Sequence, residues 1–176
     1  ILPCGLSDRN LNCAEDFLMD HGTRIFRRPL NSSEMDQYLG LFEEIYYEDG
    51  FNEAMKWTIS ALLQSPQFLY RSELGQDEGS GRFALTGWEV AAELSYMIWQ
   101  TTPDSELLSL AASGGLSEPD AVQAKAEEML ADPKASETVV AMAEQWLSLD
   151  LLPIVAKEGE YVELGEELRS DMALVG

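Results

Sequence analysis

A chain of 176 residues, 45% apolar and with a mean hydropathy of −0.16, carries enough hydrophobic side chain for one ordinary core or two small ones, and is not disordered in composition. Its formal charge of −21, from 32 carboxylates against 11 Lys plus Arg, excludes a nucleic-acid backbone as partner, because that binding needs cations to displace condensed counterions. No apolar run reaches the roughly 20 residues of a bilayer span, and the first residues lack the basic-then-apolar layout of a signal peptide. The acids are scattered rather than massed, which reads as a solvated surface suited to a salty or extracellular setting, and no segment matches an EF-hand loop. The first residue is Ile1 rather than Met, which points to a processed or excised piece.

Cys4 and Cys13 flank the polar, turn-rich stretch GLSDRNLN. A bridge between them would close a loop of about ten residues, worth roughly 2 to 3 kcal/mol, and would imply an oxidising compartment. Two free core thiols are the alternative, while CxxC metal or redox chemistry fails on spacing. Asn12 with Glu15 predicts a capping box opening a helix through AEDFLMDHGTRIF, kinked near Gly22 and ending before Pro29. Asn31 to Ser33 with Glu34 open a second helix, along which Met35, Tyr38, Leu39, Phe42, Ile45 and Tyr46 recur at helical spacing until Gly50. A third helix over 52–64 buries Met55, Ile59, Leu62 and Leu63, and Pro66 forces Ser65 out of the helical region. In SPQFLYR, residues 65–71, Phe68 and Leu69 are expected to fold back on this bundle, with Tyr70 and Arg71 reaching polar groups at its edge.

The Gly- and acid-rich segment 76–85 is the predicted linker. Beyond it Thr86 and Glu89 form another capping box, and GWEVAAELSYMIW is a helix. Thr102 and Pro103 reset the chain before a short helix, DSELLSLAASGG; Ser117 and Pro119 start the next, and Asp132 with Pro133 cap a last one to about Leu149. The fold class is therefore all-α: two consecutive small helical bundles packed together, with about seven to eight helices. Residues 1–75 form a three-helix unit and 86–150 a second one; 151–176 is an acidic and apolar tail that packs on a partner or on further chain.

TRIFRRPLNSSEMDQYLGLF and ALLQSPQFLYRSE resemble the domain of unknown function catalogued as 1595. TGWEVAAELSYMIWQTTPDSELLSLAASGGL, AEEMLADPKA and AEQWLSLDLL resemble the one catalogued as 1592. The two domains occur in tandem in large proteins first noticed in planctomycetes, commonly beside c-type cytochrome domains, and the resemblance runs from about Cys4 to Met172. It implies an extracytoplasmic chain, and its paired cysteines ahead of the RRP motif match Cys4 and Cys13, which supports the disulfide. One departure stands out: the family usually has a basic residue where this chain has Glu93, so an ion pair centred there is rewired or absent. The resemblance implies no catalytic residue. It assigns SPQFLYR to the join between the two units, as a structural clamp of Arg27, Arg28, Pro66, Phe68, Tyr70 and Arg71.

Chemistry is sparse. Covalent haem needs CxxCH, which is missing, and a single histidine, His21, cannot supply a two-histidine haem or a His-rich zinc site. Cofactors are therefore expected to be none in this chain, with haem c on partner or neighbouring domains. His21 is the one candidate for proton transfer or axial ligation, against a locally hydrogen-bonded role. No GxSxG elbow occurs. Glu89 and Glu93 share a helix face and are the candidate acid pair, read first as solvated helix charge; Asp104 is best explained as a first-turn acid. Trp57, Trp88, Trp99 and Trp146 read as core. Arg24, Arg27, Arg28 and Arg71 are expected to pair with helix carboxylates across the two units.

These observations converge on a non-catalytic helical scaffold or interaction module of an extracytoplasmic, c-type cytochrome-associated assembly. The competing expectation is a part of an oxidoreductase or polymer-degrading enzyme whose site is shared with other domains. A carbohydrate-binding module using exposed Trp or Tyr is the third. The expected partner is a protein or the rest of a longer polypeptide, with cytochrome c as one candidate.

Overall fold

The computed structural model describes residues 3–5 and 8–148. The tail expected at 151–176 lies outside them. The all-α expectation holds: apart from one two-stranded hairpin, the regular elements among the described residues are helical. They fall into two compact units, one built from the chain up to Tyr96 together with Thr101–Val122, the other from Met97–Gln100 with the chain from Gln123 onward.

The first unit opens with Cys4 bridged to Cys13, their Cα atoms 5.7 Å apart. This pins the start of α1 (Leu11–Phe17), whose N-cap is Asn10, accepting from the Cys13 N–H at 3.2 Å. The predicted cap at Asn12 is corrected: it lies inside the helix, because the carboxamide two residues upstream captures the orphan donor first. Leu18–Gly22 then form one turn of π-helix before α2 (Thr23–Phe26). Gly22 sits here because Leu30 packs against it; a Cβ would meet the Leu30 side chain at 2.6 Å.

α3 (Ser32–Asp49) begins with the predicted capping box, Asn31 Oδ1 accepting from Glu34 N–H and Glu34 Oε2 from Asn31 N–H, both at 2.9 Å. Gly50, at φ +83°, turns the chain into α4 (Phe51–Gln64), which buries Phe51, Ala54, Met55, Thr58 and Leu62. Phe17, Leu18, Phe26, Tyr38 and Phe42 complete that core.

Ser65 leaves the helical region as expected before proline, yet Pro66 does more than stop a helix. It occupies the first position of a new turn, α5 (Pro66–Leu69), for which Ser65 is the N-cap. The segment expected as a linker carries β1 (Gln76–Gly79) and β2 (Arg82–Ala84), an antiparallel hairpin closed through Gly79, Ser80 and Gly81, all at positive φ. α6 (Gly87–Trp99) and α7 (Ser105–Ala112) follow, burying Ala91, Ala92, Leu94, Leu107, Leu108 and Ala111.

In the second unit, the Trp99 indole N–H at the end of α6 donates to the Met129 carbonyl in α8 (Pro119–Ala131) at 3.1 Å. The Lys134 ammonium, at the start of α9 (Lys134–Leu147), lies 4.2 Å from the centre of the same ring. The expectation of four core tryptophans is corrected for two of them: Trp57 is 53% and Trp146 80% exposed. Helical spacing identified a face in each case, but no element among the described residues covers it.

Candidate functional site

The N-terminus of α6 organises the site. Thr86 Oγ1 accepts from the Glu89 N–H at 3.2 Å, while Glu89 Oε2 accepts from the Thr86 N–H at 2.7 Å and its hydroxyl at 2.8 Å. The other oxygen, Oε1, accepts from the N–H groups of Leu74 at 2.8 Å and Gly75 at 3.0 Å. Glu89 thus ties the entry to the hairpin onto the start of α6. Burial alone would raise its pKa, but the donors on Thr86, Gly75 and Leu74 together hold it below the usual carboxylate range.

One turn on, Glu93 has different company. Its Oε1 lies 3.6 Å from Arg71 Nη1, and the Arg71 guanidinium is 4.9 Å from the centre of the Tyr96 ring. Burial first, then the charge of Glu73, push Glu93 above the usual range, with Arg71 opposing them. The two acids read from the sequence as a pair are therefore driven in opposite directions by their surroundings.

Two further arginines converge here. Arg27, only 7% exposed and itself at φ +59°, donates through Nη1 to the Phe68 carbonyl at 3.4 Å and through Nη2 to the carbonyls of Gln67 and, at 3.0 Å, Tyr70. These are the carbonyls that the short α5 leaves unpaired at its end. Arg28 grips Glu34 with both terminal nitrogens at 2.8 Å, and that hydrogen-bonded pair raises the Arg28 pKa and lowers that of Glu34. The expectation that Arg27 pairs with a carboxylate is corrected: its partners are backbone carbonyls.

Phe26, Arg28, Arg71, Trp88, Glu89 and Glu93 line a cleft of about 220 Å³ within the first unit, together with Thr86 and Leu74. The expectation that Phe68 and Leu69 fold back on the bundle is corrected: they are 37% and 60% exposed, and the stretch is held by its backbone carbonyls instead. His21 stacks on Phe17 with ring centres 4.6 Å apart, and its Nδ1 lies 3.3 Å from Asp20 Oδ2; it does not line the cleft. Asp104 is the N-cap of α7, accepting from the Leu107 N–H at 2.9 Å. Arg24 approaches Asp20 at 3.6 Å, a local pair. Among the described residues no group of three or more His, Cys, Asp or Glu side chains is placed to hold a metal, and no helix is long and apolar enough to cross a membrane.

Sequence reasoning missed Glu34 as the partner of Arg28, Glu73 beside Glu93, and Trp88 as a cleft wall. For Glu34 a signal existed, since a capping-box acid already has a fixed direction six residues from Arg28.

Two family models match the chain: PSD4, Protein of unknown function (DUF1592), over residues 85–174, and PSD5, Protein of unknown function (DUF1595), over residues 13–73. The stretch between the matches, 74–84, is the one that carries β1 and β2. No curated protein and no solved structure matches.

Proposed function

The chain belongs to the PSD4 family, Protein of unknown function (DUF1592), preceded by a match to PSD5, and on that premise we propose that it is a non-catalytic helical interaction module of an extracytoplasmic assembly. The observation that carries this reading is the outer face of α9, where Val139, Met142 and Trp146 recur at spacings of three and four, all exposed. Such a stripe is uncovered among the described residues, and its occupant in this reading is a protein surface of the assembly, with c-type cytochrome domains as the cofactor-bearing neighbours. The disulfide supports an oxidising compartment. Much of the cleft chemistry is spent internally: Arg27, Arg28 and Glu89 hold segments together, and the contacts of the two arginines support a clamp role for them.

Purifying the native assembly through this chain and recording a reduced-minus-oxidised visible spectrum tests the proposal. A stoichiometric partner with a haem signal is the expected result. A chain that elutes alone, or with partners free of haem, rejects respectively the module and its cytochrome setting. One observation favours a second reading, part of an oxidoreductase or polymer-degrading enzyme completed by other domains: Glu93, raised in pKa beside Glu73, is tuned in the direction of a general acid. Activity of the assembly that survives Glu93→Gln would dismiss it.

A further inference from the structure

We propose that the cleft on α6 binds a neutral saccharide unit, with Arg71 and Glu93 engaging adjacent hydroxyls and Trp88 lying against the apolar side of the sugar ring. The inference goes beyond the interaction-module reading and does not use α9.

Four observations lead to it. First, the cleft's charged groups divide into those fixed by several hydrogen bonds and a pair that is held loosely. Arg27 gives its terminal nitrogens to three carbonyls, Arg28 holds Glu34 bidentately, and Glu89 accepts four hydrogen bonds. Arg71 and Glu93, by contrast, form a loose ion pair at 3.6 Å with no hydrogen bond between them; Glu93 shares a side-chain hydrogen bond with Glu73, and among the described residues Arg71 donates no hydrogen bond. Second, that arrangement suits a diol. A hydroxyl both donates and accepts, so one can give its proton to the Glu93 carboxylate while its neighbour accepts from the guanidinium.

Third, the balance of charge selects against ionic ligands. An anion placed on Arg71 meets Glu93 and the charge of Glu73 beside it, on a chain of net charge −21. A cation placed on Glu93 meets Arg71 and Arg28. Fourth, the walls include Trp88 and Phe26, and an indole offers the broad apolar surface that the C–H face of a pyranose requires. The Tyr96 ring, 4.9 Å from the Arg71 guanidinium, restrains that side chain before any ligand arrives. At about 220 Å³ the cleft is smaller than the roughly 300–1,000 Å³ of drug-sized pockets, which fits a single sugar unit or chain end rather than a folded peptide segment.

The test is calorimetric and fluorescence titration of the full chain with neutral trisaccharides of glucose, xylose, mannose and N-acetylglucosamine, alongside a galacturonate trimer. At least one neutral sugar should saturate in the micromolar to millimolar range, with affinity falling about tenfold or more in Arg71→Gln and in Glu93→Gln, a loss of roughly 1.4 kcal/mol. Trp88→Ala should lose as much, and Trp88→Phe should retain most of the binding. The Arg71 and Glu93 variants lie at partly exposed positions, so they keep the test sound if the Trp88 truncation fails to fold. Saturation by none of the neutral sugars, tighter binding of the galacturonate trimer, or affinity unmoved by both Arg71→Gln and Glu93→Gln would each overturn the proposal. Trp146→Ser should leave sugar binding unchanged, which separates this site from the α9 surface.

Discussion

α4 and α9 are both 14 residues long and both carry an apolar stripe, yet they use it in opposite ways. α4 buries Phe51, Ala54, Met55, Thr58 and Leu62 against α3 and the N-terminal helices. α9 buries Ala135 alone and leaves Val139, Val140, Met142, Trp146 and Leu147 exposed. The difference teaches what amphipathicity can say. Periodicity reports that a helix has a face to cover, whereas the cover must come from elsewhere in the fold or from outside it. Stability should therefore respond very unequally to truncation on these two helices.

The largest effect is expected at Leu62, fully buried on α4. Leu62→Ala removes its methyl groups and leaves a cavity in the buried core, so chemical denaturation should show a loss of about 3 kcal/mol. A loss below about 1 kcal/mol would mean the α4 core is far looser than its packing indicates.

Arg27 comes next. Arg27→Ala strips the donors from three part-buried carbonyls at the end of α5 and removes a buried side chain, which should together cost about 2 kcal/mol. Arg27→Lys should recover little, because one ammonium cannot reproduce a planar fork that reaches three oxygens. Full recovery by lysine would show that charge, and not the fork, is what the site needs.

Acidification separates the carboxylates by sign. Glu34 and Glu89 have pKa values depressed in the folded state, so the stability they contribute is present above the unfolded carboxylate range and is lost as pH falls through the folded values. Glu93 is raised, so its contribution is present below the unfolded value and is lost as pH rises through the folded one. Melting temperature should thus fall on acidification in the native chain, less steeply in Glu89→Gln, while Glu93→Gln gains stability at neutral pH. Arg28→Ala should cost about 1 kcal/mol at neutral pH, discounted for the exposure of the guanidinium, and the deficit should shrink in acid as Glu34 protonates.

Local signals were legible in the sequence wherever a side chain acts on its own helix. The boxes at Asn31/Glu34 and Thr86/Glu89 formed as read, as did the break at Ser65–Pro66. What was hidden depends on closure over long sequence separations. Arg27 reaches carbonyls about forty residues away, and nothing in FRRP announces that its first arginine serves backbone while its second serves Glu34. The segment 76–85 reads as linker because its glycines are equally at home in a linker and a hairpin, and only the strand pairing, Gln76 with Ala84 and Asp77 with Phe83 among its positions, distinguishes them. The candidate pair Glu89 and Glu93 was visible as spacing, but the neighbours that separate their chemistry come from the segment around Leu74 and from Arg71 and Glu73.

The smallest effect should fall on α9, and it is the most informative for function. Trp146 is 80% exposed, so Trp146→Ser removes almost no burial from the chain by itself, and its unfolding free energy should move by less than about 0.5 kcal/mol. In the purified assembly the same substitution should weaken retention of the partner, because a large exposed aromatic in an apolar stripe is the kind of side chain on which interface energy concentrates. The two measurements must be made together. A variant as stable as the parent that no longer retains the partner places the cover of α9 outside the chain. A destabilised variant would mean instead that the chain covers its own stripe, and the contrast with α4 would then be one of degree.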